Sequence, residues 1–286
     1  MERYVINDID SFRLKDIFEC GQCFRWNKND DGSYVGVINN TVVKVKQEKN
    51  SIIFTGSDSS GFEDTINNYF DLNEDYASYK KRLRKVDKYL NESVEFGDGI
   101  RILNQDLWET IISFIISANN NIPRIKKIIE NLSKTYGKRI VFEGKEYYTF
   151  PSIDSLSKAS VQDLRDLGVG FRDKRIYSTT QMIKSGEIDL ENIRSLQDTD
   201  LMREKLLKLD GVGPKVADCI LLFALHRFDV FPIDVWVRRV MNDLYIHCDE
   251  ESRVSKREIN RIADEKYGEI KGLAQQYLFY WKREED

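Results

Sequence analysis

The segment Leu209-Asp210-Gly211-Val212-Gly213-Pro214-Lys215 constrains this chain more than any other. A helical pattern through Met202 to Lys208 precedes it, and the largely apolar run VADCILLFALHRF follows. Two helices are therefore joined by one short turn. Gly211 and Gly213 let the backbone turn sharply and let a ligand approach the main chain. Val212, apolar and set between them, anchors the turn in a core. Pro214 stands where the first position of a helix tolerates proline. The free N–H groups of such a helix start form an anion site. Together these features describe a hairpin that grips phosphate without a basic side chain. The P-loop alternative fails, because no G-x-x-x-x-G-K-[ST] spacing occurs.

The rest of the chain divides into two patterns. Within residues 1–97, SYVGVINNTVVKVKQEKNSIIFTG reads as three short strands. Their turns fall at Asn39-Asn40 and along Gln47 to Asn50. A polar stretch from Gly56 to Asp64 leads into helical segments. Residues 98–286 read as helical throughout. Asp106 is a good N-cap for the apolar run LWETIISFIISA, which Asn119 to Asn121 terminate. Further helices are expected from Pro123, over Asp163 to Gly168, over Asp173 to Ile183, from Asp234, and along Ser255 to Lys282. The class is α+β: a small antiparallel β-sheet domain followed by a larger helical body. No internal repeat and no low-complexity segment is present.

Composition narrows the function classes. The chain has 286 residues, 41% of them hydrophobic, which excludes global disorder. No apolar run approaches a membrane span. The charged start MERYVINDIDSF lacks a signal-peptide core, so a cytoplasmic protein, acting at the nucleoid, is expected. The formal net charge of −4 argues against a generally basic nucleic-acid binder. It leaves room for a local face that holds backbone with a few N–H groups and cations. Cys20 and Cys23 form a C-x-x-C, which invites a metal or redox reading. A structural zinc needs four ligands. Cys219 and Cys248 are unpaired in sequence, and the chain has two histidines, His226 and His247. No metal and no other cofactor is expected.

At the hairpin, GVGPKVADC followed by FPIDVWV resembles the helix-hairpin-helix DNA glycosylases, and among them the 8-oxoguanine DNA glycosylases. The resemblance extends from about Phe18 to Trp281. It implies a TBP-like N-terminal sheet domain and two helical subdomains with the active site between them. It implies a monomer acting on double-stranded DNA that holds 8-oxoguanine. By this resemblance Lys215 is the nucleophile that expels the base and leaves a Schiff base for β-elimination. A nucleophilic lysine must be neutral, and a helix start with partial burial disfavours the ammonium form. The residue's plainer role is a surface or phosphate-binding lysine. Asp234 matches the family's essential aspartate, which stabilises positive charge on the sugar; it is also a good helix N-cap. Cys219, one turn after Lys215, would contact a face of the extruded base, or simply fill a buried helix face.

Four further segments carry implied DNA roles. In SANNNIPRI, Asn119 would fill the space left by the flipped base and Arg124 would contact the orphaned partner. In LGVGFRDKRIY, Phe171 would wedge into the base stack and Arg172 would hydrogen-bond the orphaned cytosine. In CGQCFRW, Gly21 would offer its carbonyl to the N–H that 8-oxoguanine has and guanine lacks, which also accounts for Cys20 and Cys23 without metal. In GLAQQYLFYW, Gln275 would read the base edge while Phe279 stacks on it. Gly211 and Gly213 would hold the DNA backbone. Two guanidinium groups, all donors, suit the acceptor-bearing edge of cytosine, so the lesion is expected opposite cytosine. Trp236 departs from the pattern, since well-known members carry histidine there. A sister glycosylase of other base specificity and a catalytically silent DNA-binding module are the alternatives. Lys215 and the absence of an iron–sulfur cysteine loop oppose the first, and retention of both Lys215 and Asp234 opposes the second.

Overall fold

The structure, a computed structural model, describes residues 1–57, 61–250 and 253–285. Part of the polar stretch between Gly56 and Asp64 thus lies outside the described residues. Five antiparallel strands form the N-terminal sheet: β1 (Glu2–Asn7), β2 (Asn27–Lys28), β3 (Tyr34–Ile38), β4 (Thr41–Glu48) and β5 (Ser51–Gly56), in the order β1-β5-β4-β3-β2. The three expected strands form its centre, with Tyr34 opposite Val45 and Val45 opposite Phe54. β4 runs on through Gln47 and Glu48, so its turn is tighter than the sequence suggested.

β1 and β2 were not expected. β1 is an edge strand whose outer residues stay exposed, so it lacks the apolar alternation that marks a half-buried strand. The helical reading of everything after residue 98 also needs correction. β6 (Arg139–Phe142) and β7 (Lys145–Tyr148) form a hairpin there. Glu143 and Gly144 turn it with φ of 48° and 73°, the pattern of a tight two-residue hairpin loop.

The helices are α1 (Leu14–Glu19), α2 (Phe62–Tyr69), α3 (Tyr76–Leu83), α4 (Lys88–Phe96) and α5 (Leu107–Ser117). They continue with α6 (Ile122–Tyr136), α7 (Ile153–Leu156), α8 (Val161–Leu164), α9 (Asp173–Lys184) and α10 (Leu190–Ser195). The last are α11 (Thr199–Leu206), α12 (Pro214–Ala224), α13 (Val235–Met241), α14 (Lys256–Tyr267) and α15 (Lys271–Glu285). The Asp106 carboxylate accepts from Glu109 N at 2.8 Å, which sets the start of α5. The C-terminal run is not one helix: Gly268, at φ 56°, separates α14 from α15.

Two cores hold these elements. Phe18, Trp26, Tyr34, Phe54 and Phe70 form an aromatic cluster under the sheet. The second core gathers α5, α6, α12 and α15. Cys20 and Phe24, and Tyr76, Leu83, Leu90 and Val94 of α3 and α4, are buried in it as well. Among the described residues, no helix is long and apolar enough to cross a membrane.

Candidate active site

The hairpin joins α11 to α12. Val212 is buried, and its N–H donates to the Leu209 carbonyl at 3.1 Å, which closes the turn. Thr179 Oγ1 of α9 fixes the turn from outside by donating to the Asp210 carbonyl at 2.7 Å. Gly211 has φ 87°, and a Cβ there would lie 3.0 Å from the Arg175 side chain. Gly213 is the N-cap of α12 at φ −93°, a conformation open to any residue. It is exposed, and a Cβ built on it would meet nothing within 4 Å. Gly211 thus serves the turn, whereas Gly213 leaves the helix start accessible.

Lys215, the second residue of α12, is half-buried. Its Nζ lies 5.3 Å from the centre of the Phe114 ring, which stacks on Phe223 and meets Phe24 edge-on. Lys215 lies one helical turn before Cys219, close enough for its charge to favour the thiolate. Burial pushes that thiol up to about 11; Lys215 works against the rise, and the Asp218 and Asp234 carboxylates add to it. Asp234 is the N-cap of α13, and its Oδ1 accepts from Val237 N at 2.8 Å. Its second oxygen has no partner among the described residues. One oxygen of Asp234 thus caps α13, and its charge reaches the Cys219 thiol.

The C-terminal helix supplies a second wall. Gln275 is buried, and its Oε1 has no hydrogen-bond partner among the described residues, which is costly unless a ligand supplies a donor. Phe279 follows one turn later, half-buried. Gly21, at φ 89°, faces this helix: a Cβ there would lie 3.2 Å from Phe279 Cε1 and 3.0 Å from Arg283 Nη1. Gly21 and Phe279, far apart in sequence, are thus in contact. Cys20 is buried, and its Sγ donates to the Ile17 carbonyl at 3.4 Å. Burial pushes the Cys20 thiol up to about 11 and that of Cys23 higher still.

The third group surrounds the end of α5. Phe171 is 59% exposed, a high value for a phenylalanine. Asn120 Nδ2 donates to the Ile116 carbonyl at 3.1 Å and Asn121 Oδ1 caps α6, so two of the three asparagines serve helix ends. Asn119 is exposed, at φ 52°, and its side chain makes no hydrogen bond among the described residues. Arg124 is exposed beside Gly170, with no carboxylate partner among the described residues.

Arg172 departs from the expectation. It is 2% exposed and turned inward. Nε donates to the Ala118 carbonyl at 2.9 Å, Nη1 to Val169 O at 3.1 Å, and Nη2 to the carbonyls of Ala118 and, at 2.8 Å, Asn119. Four of its five N–H donors are engaged, so no two-donor fork faces a base. Burial, with the neighbouring guanidinium groups of Arg124 and Arg175, holds its pKa below the ordinary arginine value.

Sequence reasoning missed Arg175, which is exposed, 5.8 Å from the Phe171 ring and packed on Gly211. It ties the exposed phenylalanine to the hairpin, and its position four residues after Phe171 was the available signal. Phe114, Gln276 and Arg283 were missed as well. Trp236 is half-buried, and its Nε1 is buried without a partner among the described residues.

A hairpin with an accessible helix start, a lysine on that helix and a capping aspartate nearby define a helix-hairpin-helix DNA repair glycosylase. Residues 112–266 match the HhH-GPD superfamily of base excision DNA repair proteins, and residues 4–111 match the N-terminal domain of 8-oxoguanine DNA glycosylase. The chain belongs to the 8-oxoguanine DNA glycosylase family within that superfamily. It is 30% identical over 92% of its length to the N-glycosylase/DNA lyase OGG1 of Arabidopsis thaliana, covering 75% of that protein. It is 36% identical over 73% of its length to a probable N-glycosylase/DNA lyase of Methanothermobacter thermautotrophicus, covering 71% of it. The 8-oxoguanine glycosylase/lyase of Clostridium acetobutylicum, in complex with double-stranded DNA containing cytosine opposite 8-oxoG, superposes with a TM-score of 0.94 at 43% identity. That match covers 99% of this chain and 97% of the other.

Proposed function

We propose that this protein excises 8-oxoguanine from duplex DNA, opposite cytosine, and cleaves the resulting abasic strand through a lysine Schiff base. The observation that carries the reading is the half-buried Lys215 at the start of α12, one turn before a Cys219 thiol that the charges of both Lys215 and Asp234 reach. Neutral Lys215 attacks C1′ of the damaged nucleotide. The N–C1′ bond forms as the glycosidic bond breaks, and the base leaves with the bonding pair. Opening of the sugar ring gives the Schiff base. Loss of a proton from C2′ then expels the 3′ phosphate. The free oxygen of Asp234 stabilises positive charge on the sugar. Base flipping costs a few kcal/mol, which Phe171 and Asn119 offset by filling the gap. Gln275 Oε1 accepts from the base edge, Phe279 stacks on its face, and Gly213 with the α12 start holds phosphate.

The test is borohydride trapping and single-turnover excision on an 8-oxoguanine duplex. Wild type yields a covalent adduct. Lys215→Gln yields neither adduct nor excision, yet still shifts the duplex on a gel. Substantial excision by Lys215→Gln moves the nucleophile elsewhere.

A further inference from the structure

The segment that carries Gly21 is held by carbonyls on either side of it. Arg283 Nη2 of α15 donates to the Glu19 carbonyl. Gln276 Nε2, also of α15, donates to the Cys20 carbonyl at 2.6 Å. Gln105 Nε2 donates to the Gln22 carbonyl at 2.8 Å. The carbonyls of Glu19 and Cys20 before it and of Gln22 after it are thus fixed, while the Gly21 carbonyl accepts no hydrogen bond among the described residues. An acceptor left open among three pinned carbonyls, on a residue that lies beside Phe279, is free for a ligand donor.

Arg283 stands out among the three donors. With Gln275 and Phe279 it lies at i, i+4 and i+8 on one face of α15. Its guanidinium is 5.3 Å from the Phe279 ring centre and 5.7 Å from that of Tyr280. Nη1 is buried, has no partner among the described residues, and lies 3.0 Å from where a Gly21 Cβ would be. Part of this arrangement has a plain structural account, since Glu19 ends α1 and a cation there meets the free carbonyls of a helix C-terminus. That account needs neither the contact with Phe279 nor a buried, unpaired N–H at Gly21.

We infer that Arg283 is a positioning residue for lesion recognition: by holding the Glu19 carbonyl it fixes the Gly21 segment beside Phe279 and so sets how well the enzyme holds the oxidised base. The inference rests on the proposed 8-oxoguanine reading and extends it to a residue that contacts neither Lys215 nor Asp234. β-Elimination on a preformed abasic site involves no base, so it is independent of this support.

The experiment measures, for wild type, Arg283→Leu and Arg283→Lys, single-turnover excision from an 8-oxoguanine duplex and strand cleavage of a preformed abasic duplex. Arg283→Leu is expected to lower excision by about tenfold or more relative to cleavage, the loss of one hydrogen bond from a charged donor. Arg283→Lys, which still donates to Glu19, restores part of it. Equal excision in wild type and Arg283→Leu, or a loss shared in proportion by both activities, overturns the inference. If Arg283→Leu fails to fold, Gln276→Leu releases the adjacent carbonyl and is held to the same comparison. Wild type that cleaves abasic DNA but spares 8-oxoguanine refutes the underlying reading instead.

Discussion

Replacing Arg172 separates two explanations of opposite-base preference. If Arg172 reads cytosine, Arg172→Ala flattens the preference and leaves the fold alone. The structure leads to the other expectation, because the guanidinium bonds three backbone carbonyls at the Ala118–Asn119 and Val169 turns. Removing it strands carbonyls that a charged donor had satisfied, at a net cost of about 2–4 kcal/mol over the group. At about 2–4 °C per kcal/mol for a chain near this size, that lowers Tm by roughly 5–15 °C. The Asn119 loop loosens, so excision slows against every opposing base by a similar factor. Arg124 is exposed beside Gly170, so under the proposed function Arg124→Ala is expected to erase a cytosine-over-adenine preference of about 5- to 150-fold with little change in Tm. The assay is single-turnover excision from four duplexes differing in the opposite base, with thermal melts of both variants. A flattened ratio in Arg172→Ala with an unchanged Tm refutes the latch and restores direct reading.

Asp234→Asn keeps a good N-cap for α13 while removing the charge, so Tm should hold within a few degrees while excision falls on the order of a hundredfold; equal excision would leave Asp234 as a cap alone. Phe171→Ala removes an exposed ring, so a melt should barely change, whereas excision should drop about tenfold or more if the ring opens the base stack. Burial raises the Cys219 thiol to about 11, above its ordinary value near 9, so the folded state keeps a proton that the unfolded state releases. Its contribution to stability is therefore fully present below pH 9 and is lost between about pH 9 and 11. Urea unfolding at pH 8 and 10.5 should show Cys219→Ala losing roughly 2 kcal/mol less than wild type across that interval; equal losses would place the thiol in a wetter setting.

The amino-acid sequence by itself determined the hairpin, the α5 start at Asp106, the α13 start at Asp234, the three central strands and the spacing of Lys215 to Cys219. These features depend on signals a few residues apart: a carboxylate three positions before the N–H it caps, an apolar period, a glycine next to a proline. The exposed β1 edge and the β6–β7 hairpin carried too little apolar alternation to register, although Glu143-Gly144 marked the hairpin turn. Only the tertiary structure decided how distant groups meet. Arg172 and Asn119 read as two separate DNA contacts in sequence, but packing makes the arginine a support for the asparagine's own loop across 53 residues. Gly21 could be matched to a reading role by its segment, but nothing local shows that Arg283, bonded to a carbonyl 264 residues away, holds that segment in place. A hydrogen bond of that span forms because two cores fix the relative placement of α1 and α15. No short window of sequence contains that information.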